Sequence, residues 1–324
     1  MTSSKTILNI SGVTKSFSKA HFSEAMLLRG ISLEINRGQI TALVGSNGAG
    51  KTTLFNMISG FDRPTSGMIT YHTKTGASHC IFCASNDNSL RVSSLPPHKI
   101  AGLGIGRLFQ DVHIFKNMCL VENVMCASKN KTGETPFLKL FNKNTRHIEA
   151  ERAARAEKII MELLKETFSP FEVVYPKKKA IIWGFLSQFF KILKTNYIVY
   201  GDIFSPPFSK VIREQILLRD ASDFSFGQQK LLSLAMLFMG DYDLLILDEP
   251  TAGVNPKITQ KILNTLKIMV DDFGKTVFMI EHNMDAVHQI ADYCYFMNNG
   301  LITHQGSPKE VFSSPTVMRE YLGI

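Results

Sequence analysis

Apolar residues along this chain fall into short continuous runs and longer runs with helical spacing. Ile40–Val44, the start of Leu244–Pro250 and Thr276–Ile280 are short, bounded by turn residues, and read as buried strands. Ile7–Phe17 and Leu28–Ile35 are β-rich segments joined by a polar link, the pattern of an antiparallel pair. Pro64–Tyr71 reads as a turn and strand, and Gly104–Phe115 contains a β-like run ending in Gln110. Helical character begins at Leu54–Ile58 and returns over Leu120–Ala127, Ile148–Glu166, Phe224–Gly240, Pro256–Val270 and Met284–Ile290. Tyr293–Met297 and Leu301–His304 face each other across Asn298-Asn299-Gly300 as a closing hairpin, with a short helical tail behind it. The alternation predicts an α/β protein without internal repeats or a coiled coil.

Two stretches break the pattern. Thr73–Pro97 is polar and aperiodic, and is expected to be a surface insertion. Phe168–Arg219 carries prolines at 170, 176, 206 and 207 and the basic run Lys177-Lys178-Lys179. Within it, Ala180–Phe190 is apolar but too short to span a bilayer, and lysines follow it. Such a segment docks on a membrane surface or partner, or packs on its own domain; the lack of a clean apolar stripe favours packing.

The balance of charge is +8 over 324 residues, which favours an anionic partner without choosing between nucleotide phosphates, membrane and nucleic acid. Five cysteines at irregular positions argue against a disulfide framework and fit a reducing compartment. Cys80 and Cys83 form a lone C-x-x-C, read as chance or packing. No secretory signal and no apolar run of spanning length is apparent.

The candidate chemistry starts at GSNGAGKTT: Gly45, Ser46, Asn47, Gly48, Ala49, Gly50, Lys51, Thr52 and Thr53, between a strand and a helix. Glycines let backbone N–H groups converge on phosphate oxygens, and the helix start adds positive potential. Lys51 would reach the β- and γ-phosphates of a nucleoside triphosphate, and the Thr52 hydroxyl would ligate Mg²⁺. Asp248 and Glu249 leave a strand together; because side chains alternate, one can hold Mg²⁺ while the other polarises a water. Gln110 at a strand's end could touch both. His282 stands just beyond another strand end, and the Ser225-Phe226-Gly227-Gln228 turn opens a second helix with free amides. Phe17, near a strand end, is a core residue or a platform for a purine ring.

In this order the motifs resemble those of the ATP-binding subunit of an ABC transporter. GSNGAGKTT looks like its Walker A loop, Gln110 its Q-loop, FSFGQ its signature, LLILDE its Walker B motif, TAGVN its D-loop and His282 its switch histidine. His98–Val124, the Phe-Gly-Gln-Gln-Lys form of the signature and the ending REYLGI are similar to the branched-chain amino acid importer branch. The resemblance implies a P-loop NTPase cassette with a RecA-like core, an antiparallel β-subdomain and a helical signature subdomain. Residues 1–110 and 240–324 would form the core and β-subdomain, with an insertion at 73–97. Residues 111–239 would form the helical part, with an insertion at 168–219. Two cassettes would close on two ATP molecules, each ATP facing Ser225, Gly227 and Gln228 of the other subunit. Glu249 would be the general base, and Lys51 and His282 would stabilise the transferred phosphoryl group. Thr52, Gln110 and Asp248 would hold Mg²⁺, and Phe17 would stack on adenine. Permease subunits, an indirectly acting periplasmic or extracellular solute-binding protein and a peripheral place on the cytoplasmic membrane face follow from the same resemblance; nucleic acid does not.

The chain departs from the family pattern at Phe224 and Phe226, where the signature usually has Leu and Gly, and at Asn255, where many D-loops have Asp. These departures and the insertions leave a nucleotide-switched interaction module with little turnover as a second reading. An ATPase of the lipopolysaccharide-export type is a third.

Overall fold

A computed structural model describes residues 5–19, 22–84, 93–128, 144–164 and 217–322. The chain opens with an antiparallel pair, β1 (Thr6–Lys19) and β2 (Phe22–Asn36), and β3 (Ile40–Gly45) then runs into α1 (Lys51–Ile58). β4 (Ser66–His72), β5 (Ser78–Ala84), β6 (Ser93–Ser94), α2 (Pro97–Leu103), β7 (Ile105–Leu108), α3 (Leu120–Cys126) and α4 (Asn144–Leu164) follow. A 3₁₀ turn at Ala221–Asp223 leads into α5 (Phe226–Met239), β8 (Leu244–Asp248), α6 (Pro256–Asp271), β9 (Thr276–Ile280) and α7 (Met284–Ile290). The hairpin β10 (Tyr293–Asn298) and β11 (Leu301–Gly306) precedes α8 (Pro308–Phe312) and α9 (Pro315–Leu322).

Two sheets organise these elements. One is antiparallel, in the order β2-β1-β4-β5-β6; the other runs β11-β10-β3-β9-β8-β7 and is parallel except at its β11 edge. Every residue of β3, β8 and β9 is buried, which is why these strands read as unbroken apolar runs rather than alternations. Alternate side chains nonetheless serve different cores. Ala42, Val44, Leu245, Leu247, Val277 and Met279 join a cluster with the helices α3 to α7. Leu43, Leu244, Ile246, Phe278 and Ile280 join a second cluster with α1 and the antiparallel sheet. Because β3, β7, β8 and β9 are parallel and in register, their C-terminal ends emerge along one edge of the sheet, where ligands of such sheets collect.

The stretch expected as an aperiodic insertion at Thr73–Pro97 is partly sheet instead. Ser78–Ala84 pairs with β4, and Ile81 and Phe82 are both buried. The register shifts between Ile69 and Thr70, opposite these two residues. A bulge of this kind turns two successive side chains inward, so the period that marks a strand is lost from the sequence. Residues 85–92 lie outside the described residues. So does the expected insertion Phe168–Arg219, with Lys177–Lys179 and Ala180–Phe190, apart from its last three positions. Among the described residues no helix is long and apolar enough to cross a membrane, and no group of three or more His, Cys, Asp or Glu side chains could hold a metal ion.

Candidate functional site

The edge where the parallel strands end carries the loop Gly45–Thr53. Gly45 closes β3 beside Met297 of β10, and the Ser46 hydroxyl donates to Asn298 Oδ1 at 3.0 Å, so the loop is anchored to the neighbouring strand. Lys51, the first residue of α1, is buried, and its ammonium donates to the carbonyls of Gly45 and Ser46 at 2.9 Å each. An ammonium has three donors, so the lysine can shape the loop and still serve an anion. Asn47 and Gly48 are exposed, and open space surrounds Gly48 where a ligand would approach. Ala49 and Gly50 are buried, Thr53 is half-buried and Thr52 is exposed.

Asp248 ends β8 with 2% of its surface exposed, its Oδ2 lying 3.6 Å from the Arg107 guanidinium on β7. The Thr52 hydroxyl sits against the same carboxylate. Asp248 Oδ1 is buried without a hydrogen-bond partner. An unsatisfied buried oxygen is costly, and a carboxylate beside a hydroxyl is a hard-oxygen donor set. These residues therefore fit Mg²⁺.

Glu249 follows with a φ of +49°, a left-handed conformation that is strained for a residue with a Cβ. Its carboxylate lies between two side chains: Gln110 Nε2 donates to Oε2 at 3.0 Å, and His282 Nε2 is 3.2 Å from Oε1. Glu249, Gln110 and His282 thus meet at the edge that carries Lys51. Burial lowers the Lys51 pKa against the opposing pull of Glu249 and Asp248. Burial raises that of Asp248, which Arg107 partly offsets. Burial and then the Lys51 charge lower that of His282, against Glu249. These causes favour the neutral imidazole over the imidazolium.

That shift makes a stability prediction. The folded chain resists a proton that the unfolded chain accepts at His282. The histidine's contribution is full above the ordinary value of about 6.5 and is lost as pH falls through the lowered folded value. His282→Gln should flatten the fall of the thermal melting midpoint on acidification through this range. Parallel midpoint curves for the two proteins would refute the assignment.

The signature residues form a separate surface at the start of α5. Ser225 is the N-cap: its hydroxyl accepts from the Gln228 amide, and Gln228 Oε1 accepts from the Ser225 amide at 2.9 Å. Gly227 has a packing reason, since a Cβ there would lie 2.6 Å from Ile258 Cδ1 on α6. Phe17 is 47% exposed, which frees its ring for stacking, and the Lys15 ammonium lies 5.1 Å from its centroid. Reading the sequence alone missed Arg107, Lys230 and Glu281. Each is a solitary charge in or directly beside an apolar run, a signal that could have marked it, because buried charges need partners.

The family model described as ABC transporter matches residues 28–252. The high-affinity branched-chain amino acid transport ATP-binding protein BraF of Pseudomonas aeruginosa is 29% identical over 320 residues, covering 99% of both chains. The probable branched-chain amino acid transport ATP-binding protein LivG of Archaeoglobus fulgidus is 28% identical, covering 96% of this chain and 94% of its own. A crystal structure of a nucleotide-free ATP-binding cassette from an ABC transporter superposes with a TM-score of 0.64 at 27% identity, covering 98% of this chain and all of that one. A cassette in its ADP conformation gives 0.59 at 25% identity, covering 98% and 99%. With the family model spanning more than two thirds of the chain and the fold shared with solved cassettes, this protein belongs to the ABC transporter family, as an ATP-binding subunit homologous to the branched-chain amino acid transport ATP-binding proteins.

Proposed function

We propose that this chain is the Mg²⁺-dependent ATPase of an ABC importer, coupling ATP-driven closure of two cassettes to uptake of branched-chain amino acids or a related small polar solute. The observation that carries the reading is Glu249, held between Gln110 and His282 on the sheet edge that bears Lys51. In this mechanism the amides of Gly45–Thr53 and Lys51 bind the phosphates, and Phe17 stacks on adenine. Glu249 accepts the proton of the attacking water while Gln110 and His282 fix its carboxylate. Lys51 and His282 stabilise charge on the transferred phosphoryl group. Thr52, Gln110 and Asp248 would hold Mg²⁺, which when bound neutralises phosphate charge. Ser225, Gly227 and Gln228 of a second copy or close relative face the same nucleotide.

On this reading the core at 1–110 and 240–324 holds the nucleotide, and the helical part at 111–239 faces the permease subunits. The chain lies peripherally on the cytoplasmic face of the membrane, and a solute-binding protein delivers the solute to the permease. The test is recovery of the tagged chain from membranes, with the co-purified subunits identified by mass spectrometry. Permease subunits and ATP hydrolysis in the assembled complex are expected. An assembled complex without turnover would favour the nucleotide-switched module, and export-type permeases would favour the lipopolysaccharide-export reading.

A further inference from the structure

Lys230 lies in the first turns of the apolar helix α5, and only 2% of its surface is exposed. Its ammonium donates to two backbone carbonyls, Glu249 O at 2.9 Å and Ala252 O at 2.7 Å. These carbonyls bracket the turn Glu249-Pro250-Thr251-Ala252, closed by the Ala252 amide on Glu249 O at 3.2 Å. From the other side, Glu281, equally buried, accepts from the Thr251 amide at 2.9 Å, the Thr251 hydroxyl at 2.7 Å and the His282 amide at 3.1 Å. One cation and one anion from distant segments therefore grip the four residues that present the general base.

The unusual signature residue belongs to the same arrangement. The Phe226 ring lies 5.3 Å from the Lys230 ammonium, and a Cβ at Gly253 would touch it at 3.3 Å. Phe226 thus covers both the lysine and the turn that continues from Ala252.

We propose that Lys230 is a positioning residue for Glu249, through which the signature helix holds the catalytic turn of its own subunit; this rests on the reading of the chain as an ATPase. A buried ammonium is costly to desolvate, and burial lowers its pKa against the pull of Glu281 and Glu249. A methionine would fill the same space without that cost, so what the lysine adds is its two directed donors. They are aimed at the one place where they matter for the base: a left-handed backbone at a non-glycine residue persists only when its surroundings over-determine it. The helix whose N-terminus carries Ser225 and Gly227 is thereby tied, at that same end, to the subunit's own Glu249.

The test compares wild type, Lys230→Met, Lys230→Arg and the double variant Lys230→Met/Glu281→Gln in the assembled complex, measuring kcat and KM for ATP, the melting midpoint and amide exchange at Glu249, Thr251 and Ala252. Lys230→Met should lower kcat by about 10- to 100-fold with KM unchanged, the size of loss that follows a small misplacement of a catalytic group, and should speed exchange at the three amides. Lys230→Arg should recover most of the rate. The double variant removes the unpaired charge, so it should recover the melting midpoint but not kcat. Wild-type turnover in Lys230→Met overturns the proposal, as does recovery of kcat in the double variant, which would reduce Lys230 to charge compensation. If Lys230→Met fails to fold, the arginine and double variants decide. Should wild type hydrolyse no faster than Glu249→Gln, the ATPase reading fails, and amide exchange alone judges the clamp: unchanged exchange in the Lys230 variants overturns it.

Discussion

Glu249→Gln is expected to lower steady ATP hydrolysis by about 100- to 10,000-fold, the range a positioned general base supplies, while ATP binding and ATP-dependent dimerisation persist. Glutamine keeps the size of the side chain and an oxygen that can accept from Gln110 or His282, so the pocket on the sheet edge survives. What is lost is the ability to take a proton from the attacking water. The parts proposed to bind phosphate, Lys51 and its loop, are expected to stay in place, because the Lys51 ammonium donates to Gly45 and Ser46 rather than to Glu249. Hydrolysis in the assembled complex, nucleotide binding by equilibrium dialysis and the oligomeric state with and without ATP check the three parts. Turnover at the wild-type rate would remove Glu249 as the base.

Gly45→Ala should cost at least about 3 kcal/mol of folding stability, the upper end of the usual overpacking range. The cause is geometric. A Cβ at Gly45 would stand 1.9 Å from the carbonyl oxygen of Met297, which is backbone and cannot swing aside. Gly45 and Met297 are register partners at the end of the β3–β10 pairing, so relief would require the strands to part beneath the phosphate loop. Gly48→Ala is the comparison, with a positive φ of 77° but no atom within 4 Å of the added carbon. Chemical denaturation should show the much larger loss for Gly45→Ala; equal losses would mean that strain in φ, and not the Met297 contact, sets the cost.

The two expectations differ in how far the chain itself announced them. The loop was legible because a phosphate site built from backbone amides needs glycines and a lysine at fixed local spacing, all within nine residues. β3, β8 and β9 were legible because strands buried on both faces are apolar throughout. Ser78–Ala84 was not, since the irregularity beside Ile81 and Phe82 erased the alternation that marks a strand. Arg107, Lys230 and Glu281 were passed over for a different reason. Each works through a partner far away in the chain, as Arg107 does with Asp248 and Glu281 with Thr251. Phe226 had looked like a defect in the signature, and against Gly253 and Lys230 it becomes a covering ring.

From the sequence alone came most of the strands and helices and the local chemistry of each motif, because period, turn residues and loop spacing are properties of neighbouring residues. The tertiary structure alone decided which motifs work together: parallel pairing in register brings the ends of β3, β7, β8 and β9 to one edge, setting Glu249 between Gln110 and His282 with Lys51 nearby. It also decided that Asp248 keeps an unpaired oxygen toward which a cation fits, and that the turn carrying Glu249 is held by buried charges from both sides. Burial and directed hydrogen bonds exist only once distant segments have packed, and no local pattern of residues encodes them.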